Sequence, residues 1–600
     1  MSTTDRTPRG GDAEDERPVL GQFAGSRGVS DDLAGPEEGV GAGSPENGYE
    51  APPRPGASRP RSAAQPRSAA QPRSQSQSRP RPRRTPPPRR RTGVTRRQWM
   101  RRAVASSLGL SVAGFIGYEM HPASGDAAAE RALQREVAHP TPTTTGVTSL
   151  EVQSFVTRPD LKPPTVKMTH FSTSDTSPPY ILLSVNNVIP TDQIQQGLMM
   201  IDRQGRLVWF HPVSPKYKPF DLNAFTVRGQ PVLGWWAGEL ASSHGEGSCI
   251  LVDSSYAPVE RIHAGHGLRA DLHELYITSR GTALITAYQQ TTADLSAIGG
   301  PSKAPVFTGH VQEIELSGGK VLFDWSSLDH VAVAETYMGR PRAGEVFDYF
   351  HLNSVAETTD GNLLVSARNT SAVYKVDRKS GQIIWRLGGR KSDFNFTTSE
   401  AQFHWQHDAR AWSDTTFSVF DNGANGSETR SRGLMLKLNE SAKTASLIQA
   451  YEHPAGFVSP ALGSVTRLPG GRVFVGWGDQ PYFSEFAADG TMLLDGQLPI
   501  GVRSYRAFAV DWTGKPSGPP AVSAKQNPAG GFVVRASWNG ATEISRWQIL
   551  GGPSPSQLAL VGEQEWTNFE TAVAVNSAGP SFQAVALDSS GNELGRSTVV

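Results

Sequence analysis

Three histidines of this 600-residue chain occur in similar short segments, and their side chains could act together. His273 lies in DLHEL, His351 in FHLNS and His407 in WQHDAR. At neutral pH, imidazole can serve as a nucleophile, as a general acid or base, or as a metal ligand. A single histidine is most often structural. Three at corresponding positions of a repeated pattern indicate a shared site.

Two kinds of site fit these histidines. Three imidazoles and a water can form a catalytic zinc site, but strands that diverge from a common axis need not bring three rings to bonding distance of one ion. Arg368, Arg410 and Arg506 occur near the same segments, and a guanidinium matches sulfate, phosphate or carboxylate. For Arg410 we predict an ion pair with Asp408 or Glu274. We therefore predict an anion site that holds neither a metal nor a cofactor.

The elements that must position these residues are short strands. With 61 Gly and 44 Pro in the chain, a long helical bundle is excluded. From about residue 180, apolar strands recur between turn residues, and one four-strand unit can be read five times; the first reads FDLNAFTVRGQ, PVLGWW, CILVD and PVERIH. The early stretch YILLSV, GLMMID, RLVWFHPV lacks an inner strand, and the late stretch SYRAFAVDWTG supplies one.

Joining these two fragments gives a sixth unit made from both ends of the series. A ring closed in this way has no free sheet edges. The predicted fold class is therefore all-β, with a six-bladed β-propeller of velcro-type closure over residues 166–514. A parallel solenoid is the alternative, but it does not explain the complementary fragments.

The inner strands of a propeller line its central channel, so their equivalent positions face one small volume. Alignment of the inner strands by hydrophobic pattern places the following residues at one level: Asn223, His273, His351, His407, Gly463 and Arg506. Asn353 shares the strand face of His351, two residues away, and Trp405 precedes His407 by two residues. We predict Asn353, Trp405 and Arg506 as substrate-binding residues.

The ends of the chain have other compositions. Residues 1–92 are rich in Gly, Pro, Ser and Arg and are predicted to form a disordered arm; residues 51–102 contain 16 arginines and no acidic residue. Residues 93–120 resemble a twin-arginine export signal or a short membrane helix, because two arginines precede an uncharged apolar run. Residues 121–165 are predicted to be a linker.

These segments predict export to the outer face of the cytoplasmic membrane or secretion, with the arm left in the cytoplasm and a membrane helix retained if no cleavage occurs. The basic arm could meet anionic lipid or nucleic acid, but solvated disorder is the preferred interpretation, without a specific nucleic-acid partner. Residues 517–600, with Trp538 and regularly spaced turns, predict a small fibronectin type III-like β-sandwich. The single cysteine, Cys249, excludes an intrachain disulfide.

The segments FDYFHLNSVAETTDGNLLVSARNTSAVYKVDRKSGQIIWRLGG, FHWQHDAR and SFVTRPDLKPP resemble the bacterial arylsulfotransferase family, whose members use an aryl sulfate rather than a nucleotide as donor. The resemblance covers about residues 150–514 and implies a six-bladed propeller. It implies that His407 is the nucleophile that is transiently sulfated and that His351 assists. It also implies matches for the family's arginine at Arg368 and for its first channel histidine at His273.

The resemblance implies transfer of a sulfuryl group from an aryl sulfate to a phenol, both small molecules. His407 would attack sulfur, Arg368 and His273 would hold the sulfuryl oxygens, and His351 would protonate the leaving phenolate. Two alternatives stay open: a non-catalytic propeller that binds an anion, and a sulfatase-like hydrolase that uses water. A quinone-dependent dehydrogenase is disfavoured, since DRKSGQIIW is a blade-packing pattern and no adjacent cysteine pair exists.

Overall fold

The structure, a computed structural model, describes residues 152–171, 178–188, 193–241, 243–339, 344–423, 430–528, 530–576 and 579–600. The predicted disordered arm (1–92), the predicted export segment (93–120) and most of the predicted linker (121–165) lie outside these residues. Within the ranges given, no helix is long and apolar enough to cross a membrane.

The described part of the chain is all-β, which confirms the predicted class. Its helical segments are single turns, namely helix α1 (Ser327–His330) and the 3-10 segments Ser296–Ile298, Val333–Glu335, Ser399–Ala401 and Pro469–Gly471. Val, Ile, Phe, Tyr and Trp recur in many of the strands, where these side chains pack well on a pleated surface, and Gly- or Pro-containing turns separate several of them.

Most strands group into six antiparallel sets of four strands, here called units A to F; units B and C are joined into one larger sheet by a pairing of Gly247 with Ala270. Unit A contains, in order, β27 (Val502–Val510), β2 (Tyr180–Asn187), β3 (Gly197–Asp202) and β4 (Leu207–Pro212). Unit B contains β5 (Lys218–Val227), β6 (Gln230–Ala241), β7 (His244–Val252) and β8 (Pro258–Ile262). Unit C contains β9 (Ala270–Ile277), β10 (Thr282–Ala293), β11 (Ala304–Glu315) and β12 (Val321–Ser326). Unit A thus combines a late strand with three early ones.

Unit D contains β14 (Leu352–Glu357), β15 (Leu363–Ala367), β16 (Ala372–Val376) and β17 (Ile383–Gly388). Unit E contains β19 (His407–Ala411), β20 (Thr416–Asp421), β21 (Arg432–Asn439) and β22 (Thr444–Glu452). Unit F contains β23 (Ser464–Arg467), β24 (Val473–Gly476), β25 (Tyr482–Phe486) and β26 (Met492–Gln497). Three short strands pair with these units: β1 (Lys167–His170) with β26, β13 (Phe347–Asp348) with β11, and β18 (Asn395–Phe396) with β22.

The hydrophobic cores lie between neighbouring units. One cluster joins Val373 and Trp385 of unit D to Phe417 and Leu434 of unit E. A second joins unit C to unit D, and a third joins unit A to unit F through side chains such as Ile181 and Phe474. These sheets therefore bury apolar side chains on the faces that meet the neighbouring unit.

The first strands of several units are irregular near their beginnings. The pairing register shifts between Phe220 and Asn223 in β5 and between His407 and Arg410 in β19. Asp408 has a φ of 56° and His351, just before β14, a φ of 55°. Positive φ is uncommon for residues other than glycine, and such bulges turn individual side chains out of the regular alternation. The bulges therefore re-aim side chains at one end of the inner strands.

The last part of the chain forms two further sheets. One contains β28 (Ala521–Gln526), β29 (Phe532–Ser537) and β32 (Glu570–Val575). The other contains β31 (Ala559–Glu565), β30 (Arg546–Gly552), β33 (Ser581–Leu587) and β34 (Glu593–Arg596). Both sheets contribute to one core, in which Trp547 is fully buried while Trp538 is only partly buried. The central tryptophan of this core is Trp547 and not Trp538, which the sequence suggested, because Trp538 follows the end of β29.

Candidate functional site

The three predicted histidines lie on the first strands of three consecutive units. His273 is in β9, His351 directly precedes β14, and His407 begins β19. All three side chains are buried, and the ring centres of His273 and His351 are 5.1 Å apart with nearly perpendicular planes. His407 joins this pair through the main chain, since the amide nitrogen of Asn353, two residues after His351, donates to the carbonyl of Gln406 at 2.6 Å. The structure therefore brings the three imidazoles together.

Two of these histidines are backed by carboxylates. Nδ1 of His273 lies 2.6 Å from Oδ2 of Asp271, and Nδ1 of His351 lies 2.6 Å from Oδ2 of Asp348. Burial opposes ionisation of both carboxyls, but His273 holds the pKa of Asp271 below its ordinary value, and His351 and His244 hold that of Asp348 well below its ordinary value. Since an ionised carboxylate only accepts, Nδ1 carries the proton in both pairs.

The third histidine is backed by an amide. Nδ1 of His407 lies 2.8 Å from Oδ1 of Asn422. The amide nitrogen of Asn422 donates to the carbonyl oxygens of Ser459 at 2.8 Å and Leu462 at 3.0 Å, so the oxygen of Asn422 must face the imidazole. His407 therefore carries its proton on Nδ1 and its lone pair on Nε2, which accepts from the Leu462 N–H at 3.3 Å.

The electrostatic surroundings keep His407 neutral. Burial, and after it the positive charge of Arg368, hold the pKa of His407 well below its usual value near 6.5, and the hydrogen bond to Asn422 only partly opposes this. The imidazole of His407 is thus a neutral base at neutral pH, with its lone pair on the nitrogen opposite Asn422.

Arg368 and Trp405 form one stacked pair at this site. The guanidinium carbon of Arg368 lies 4.8 Å from the centre of the Trp405 ring, and the main-chain N–H of Arg368 donates to the carbonyl of His351 at 2.9 Å. Its Nη1 donates to Oδ1 of Asn369 at 3.0 Å. Trp405, which was predicted to stack on a substrate ring, therefore packs against the guanidinium of Arg368. The charge of this guanidinium lowers the pKa of His407.

Asn353 is fully buried next to the segment that carries His407. Its amide nitrogen donates to the carbonyl of Gln406 at 2.6 Å, the residue before His407. The structure thus gives Asn353 a contact that holds the main chain of the site, and its predicted donation to a substrate oxygen stays a prediction.

Arg506 lies in a buried ion-pair network. Its Nη1 contacts Oδ1 of Asp221 at 2.9 Å and Oε1 of Glu274 at 3.0 Å, and its Nε lies 3.4 Å from Oδ1 of Asp408. Arg410 joins the network through Asp408 and Glu274, as the sequence predicted for that residue. These contacts tie the first strands of four units together, which favours a structural role for Arg506 over the predicted binding of substrate.

Replacement of Arg506 by leucine is expected to lower the free energy of unfolding by about 3–5 kcal/mol, because Asp221 and Glu274 would lose their buried partner. Denaturant unfolding followed by tryptophan fluorescence measures this change. Arg430→Leu is the matched control, since Arg430 pairs with Glu452 in an exposed position and is expected to change stability by at most about 1 kcal/mol. Equal effects of the two substitutions would refute the structural role of Arg506.

Four residues of the site were missed by the sequence analysis: Asp271, Asp348, Asn422 and His244. The two aspartates precede their histidines by two and three residues, so a search for acidic residues just upstream of each histidine would have found them. Asn422 and His244 carry no such signal, because Asn422 is 15 residues from His407 and His244 is 104 residues from Asp348.

The group formed by His244, Asp348 and His351 has the residue types of a metal site. Two ligand atoms of a tetrahedral zinc ion are separated by about 3.3 Å when each bond is about 2.0–2.1 Å long. Oδ2 of Asp348 lies only 2.6 Å from Nδ1 of His351 and 3.1 Å from Nε2 of His244. The 2.6 Å distance fits a shared proton better than a shared ion.

Several solved structures are distantly similar to the chain. A protein of unknown function from Bacteroides caccae is 13% identical, with 55% of this chain and 98% of that chain covered and a TM-score of 0.34. Virginiamycin B lyase from Staphylococcus aureus is 10% identical, with 62% of this chain and 97% of that chain covered and a TM-score of 0.28. The Cps50 (Swd1) β-propeller domain from Myceliophteria thermophila is 11% identical, with 53% of this chain and 94% of that chain covered and a TM-score of 0.26. These similarities are too low to indicate a function.

No curated protein matches the chain. The arylsulfotransferase (ASST) family model, in contrast, matches residues 223–498. This segment includes His273, His351, Arg368 and His407, so the site described above lies within the matched part. The match supports aryl sulfotransferase activity. Over residues 223–498, the chain is thus similar to the arylsulfotransferase family.

Proposed function

We propose that this protein transfers a sulfuryl group from an aryl sulfate to a phenol through a sulfohistidine at His407, without a nucleotide donor. The family match supports the class of reaction. The observation that carries the mechanism is the difference between the partners of the three histidines, since His407 contacts an amide and the other two contact carboxylates.

This difference assigns the roles. A nucleophile needs an unprotonated lone pair, and a neutral partner on Nδ1 leaves Nε2 of His407 unprotonated at neutral pH, where it accepts only a long hydrogen bond of 3.3 Å from the Leu462 N–H. A carboxylate partner stabilises the charged form of an imidazole, which suits a group that donates a proton or binds negative oxygens. His351 and His273 have such partners. The nucleophile is therefore His407. His351 and His273 act on the negatively charged oxygens of the substrate.

In the first half-reaction, the lone pair on Nε2 of His407 attacks sulfur and forms the N–S bond. The bond between sulfur and the aryl oxygen breaks, and its electron pair stays on that oxygen. His351 gives its Nε2 proton to the oxygen, so that a neutral phenol leaves. Arg368 and His273 bind the three sulfuryl oxygens while negative charge builds up on them.

In the second half-reaction, the oxygen of the acceptor phenol attacks the sulfur of sulfohistidine. The phenol proton passes to Nε2 of His351, and the electron pair of the N–S bond returns to Nε2 of His407. The site ends in its starting state, which predicts ping-pong kinetics.

Mass spectrometry of donor-treated protein tests this proposal. Incubation of the full chain with a chromogenic aryl sulfate in the absence of phenol is expected to add one sulfuryl group to the peptide that contains His407, and addition of phenol is expected to remove it. Continuous phenol release with water as the only acceptor would identify a hydrolase instead. Binding of the aryl sulfate without any release would identify a non-catalytic anion-binding protein.

We further propose that units A to F are the blades of a six-bladed propeller over residues 166–514. The pairing of β27 with β2 and the shared core of units A and F support closure of the ring by strands from both ends. Residues 517–600 form a fibronectin type III-like sandwich in this proposal, supported by their three- and four-stranded sheets. Export guided by residues 93–120 completes the proposal.

A further inference from the structure

One carboxylate oxygen at the site accepts hydrogen bonds from two imidazoles. Oδ2 of Asp348 lies 2.6 Å from Nδ1 of His351 and 3.1 Å from Nε2 of His244, while Oδ1 accepts the main-chain N–H of His351 at 3.0 Å. The side chains of all three residues are at least nine-tenths buried. Asp348 is thus shared between the proposed proton donor and a histidine from another unit.

The neighbouring pair lacks this arrangement. Asp271 accepts from Nδ1 of His273 at 2.6 Å, and its other hydrogen-bond partners are the hydroxyl of Thr286 at 3.2 Å and the main-chain N–H groups of His273 at 3.1 Å and Gly245 at 2.6 Å. A second imidazole is therefore a specific feature of Asp348.

Strand β7 and its neighbours hold His244 in place. The His244 ring packs on Tyr288, with ring centres 3.9 Å apart, and on Phe307, with ring centres 4.5 Å apart. Asp348 lies opposite Phe307 in the pairing of β13 with β11. The next residue after His244, Gly245, binds Asp271. The dipeptide His244–Gly245 at the start of β7 therefore contacts both Asp348 and Asp271, the carboxylates that bind His351 and His273.

We propose that His244 is a positioning residue that tunes proton transfer by His351, an inference that rests on the proposed function. His351 must release a proton in the first half-reaction and take one up in the second. A carboxylate that accepts from one imidazole alone would hold the His351 proton too firmly for the second step. The second hydrogen bond, from His244, draws charge away from Asp348 and loosens that hold.

Other titratable groups face this trio from the elements packed against it. They are Asp271 and His273 of β9, Tyr288 of β10, Arg368 after β15 and His407 of β19. Asp271 and Tyr288 also interact with His244, but both groups are present in every His244 variant, so a difference between two such variants reports on the hydrogen bond to the shared carboxylate.

Two substitutions separate the hydrogen bond from packing. His244→Phe keeps an aromatic ring against Tyr288 and Phe307 but removes the donor to Asp348. His244→Gln loses the ring and keeps an N–H that can reach the carboxylate. The matched control is His310→Phe, because His310 of β11 is also bound to an aspartate, Asp324, at 2.9 Å, outside the site.

In single-turnover measurements on the full chain, His244→Phe is expected to move the basic limb of the pH–rate profile of the donor half-reaction upward by about 0.5–1 pH unit. A shift of this size corresponds to the loss of one hydrogen bond. At neutral pH it is expected to slow the acceptor half-reaction about 3–10-fold, because less His351 is neutral. His244→Gln is expected to return both values toward those of the native protein, and His310→Phe to leave them unchanged.

An unshifted profile in a folded His244→Phe protein, or equal shifts in the phenylalanine and glutamine variants, would overturn the inference. A second readout does not depend on turnover: deuterium exchange at C2 of His351, followed by peptide mass spectrometry across pH, is expected to show the same upward shift in His244→Phe. If donor-treated native protein gains no sulfuryl group, the proposed function fails, while this exchange measurement still decides the role of His244.

Discussion

Replacement of His407 by asparagine is expected to lower the rate of aryl sulfate cleavage by at least about ten-thousand-fold, the scale seen when a catalytic nucleophile is removed. Asparagine is smaller than histidine and carries no imidazole lone pair, so it cannot form the N–S bond. Arg368 and His273 stay in place and continue to bind the sulfate group. The loss is therefore expected in the rate of phenol release, with the dissociation constant of the aryl sulfate changed far less.

His266→Asn is the control for this substitution. His266 is an exposed histidine that pairs with Asp324 and lies outside the site, so its replacement is expected to leave the rate unchanged. Phenol release by His407→Asn within about tenfold of the native rate, well above the residual rate left by loss of a nucleophile, would contradict the sulfohistidine mechanism. Such a result would favour direct attack on sulfur by the acceptor or by water.

Exchange of Asn422 for aspartate is expected to move the acid limb of the donor half-reaction upward by about 1–3 pH units, because a carboxylate beside Nδ1 stabilises the protonated imidazole. In the native protein, burial and Arg368 hold the pKa of His407 well below its usual value, so the acid limb lies below pH 6.5. At a fixed pH on the acid limb, the rate falls about tenfold for every pH unit by which the limb moves upward. Stopped-flow measurement of phenol release across pH detects the change.

Recovery at higher pH distinguishes this effect from misfolding. Aspartate cannot donate to the carbonyls of Ser459 and Leu462, so some stability is also lost, but a misfolded site does not regain its rate when the pH rises. The matched control is Asp271→Asn, the reverse exchange beside His273. It is expected to lower the rate without moving the acid limb upward. An unmoved acid limb in Asn422→Asp would refute the role of the amide partner.

The site residues could be predicted from the sequence to different degrees. The repeated pattern around His273, His351 and His407 was visible because inner strands of repeated units share their hydrophobic alternation. The sequence also placed Arg506 at this level, but it could not show that Asp221, Glu274 and Asp408 converge on its guanidinium. A charge finds its partners through the packing of several units, and one strand pattern does not contain that information.

By itself, the sequence determined the all-β class, the four-strand repeat, the early and late fragments that meet in unit A, and the three histidines. Local alternation of apolar and polar residues and the placement of turns carry all of these features. Only the tertiary structure decided which histidine has an amide partner and which have carboxylates, and that His244 shares Asp348 with His351. These contacts join residues from different strands or different units, and the bulges at Asp408 and His351 turn side chains in ways that the regular alternation does not predict.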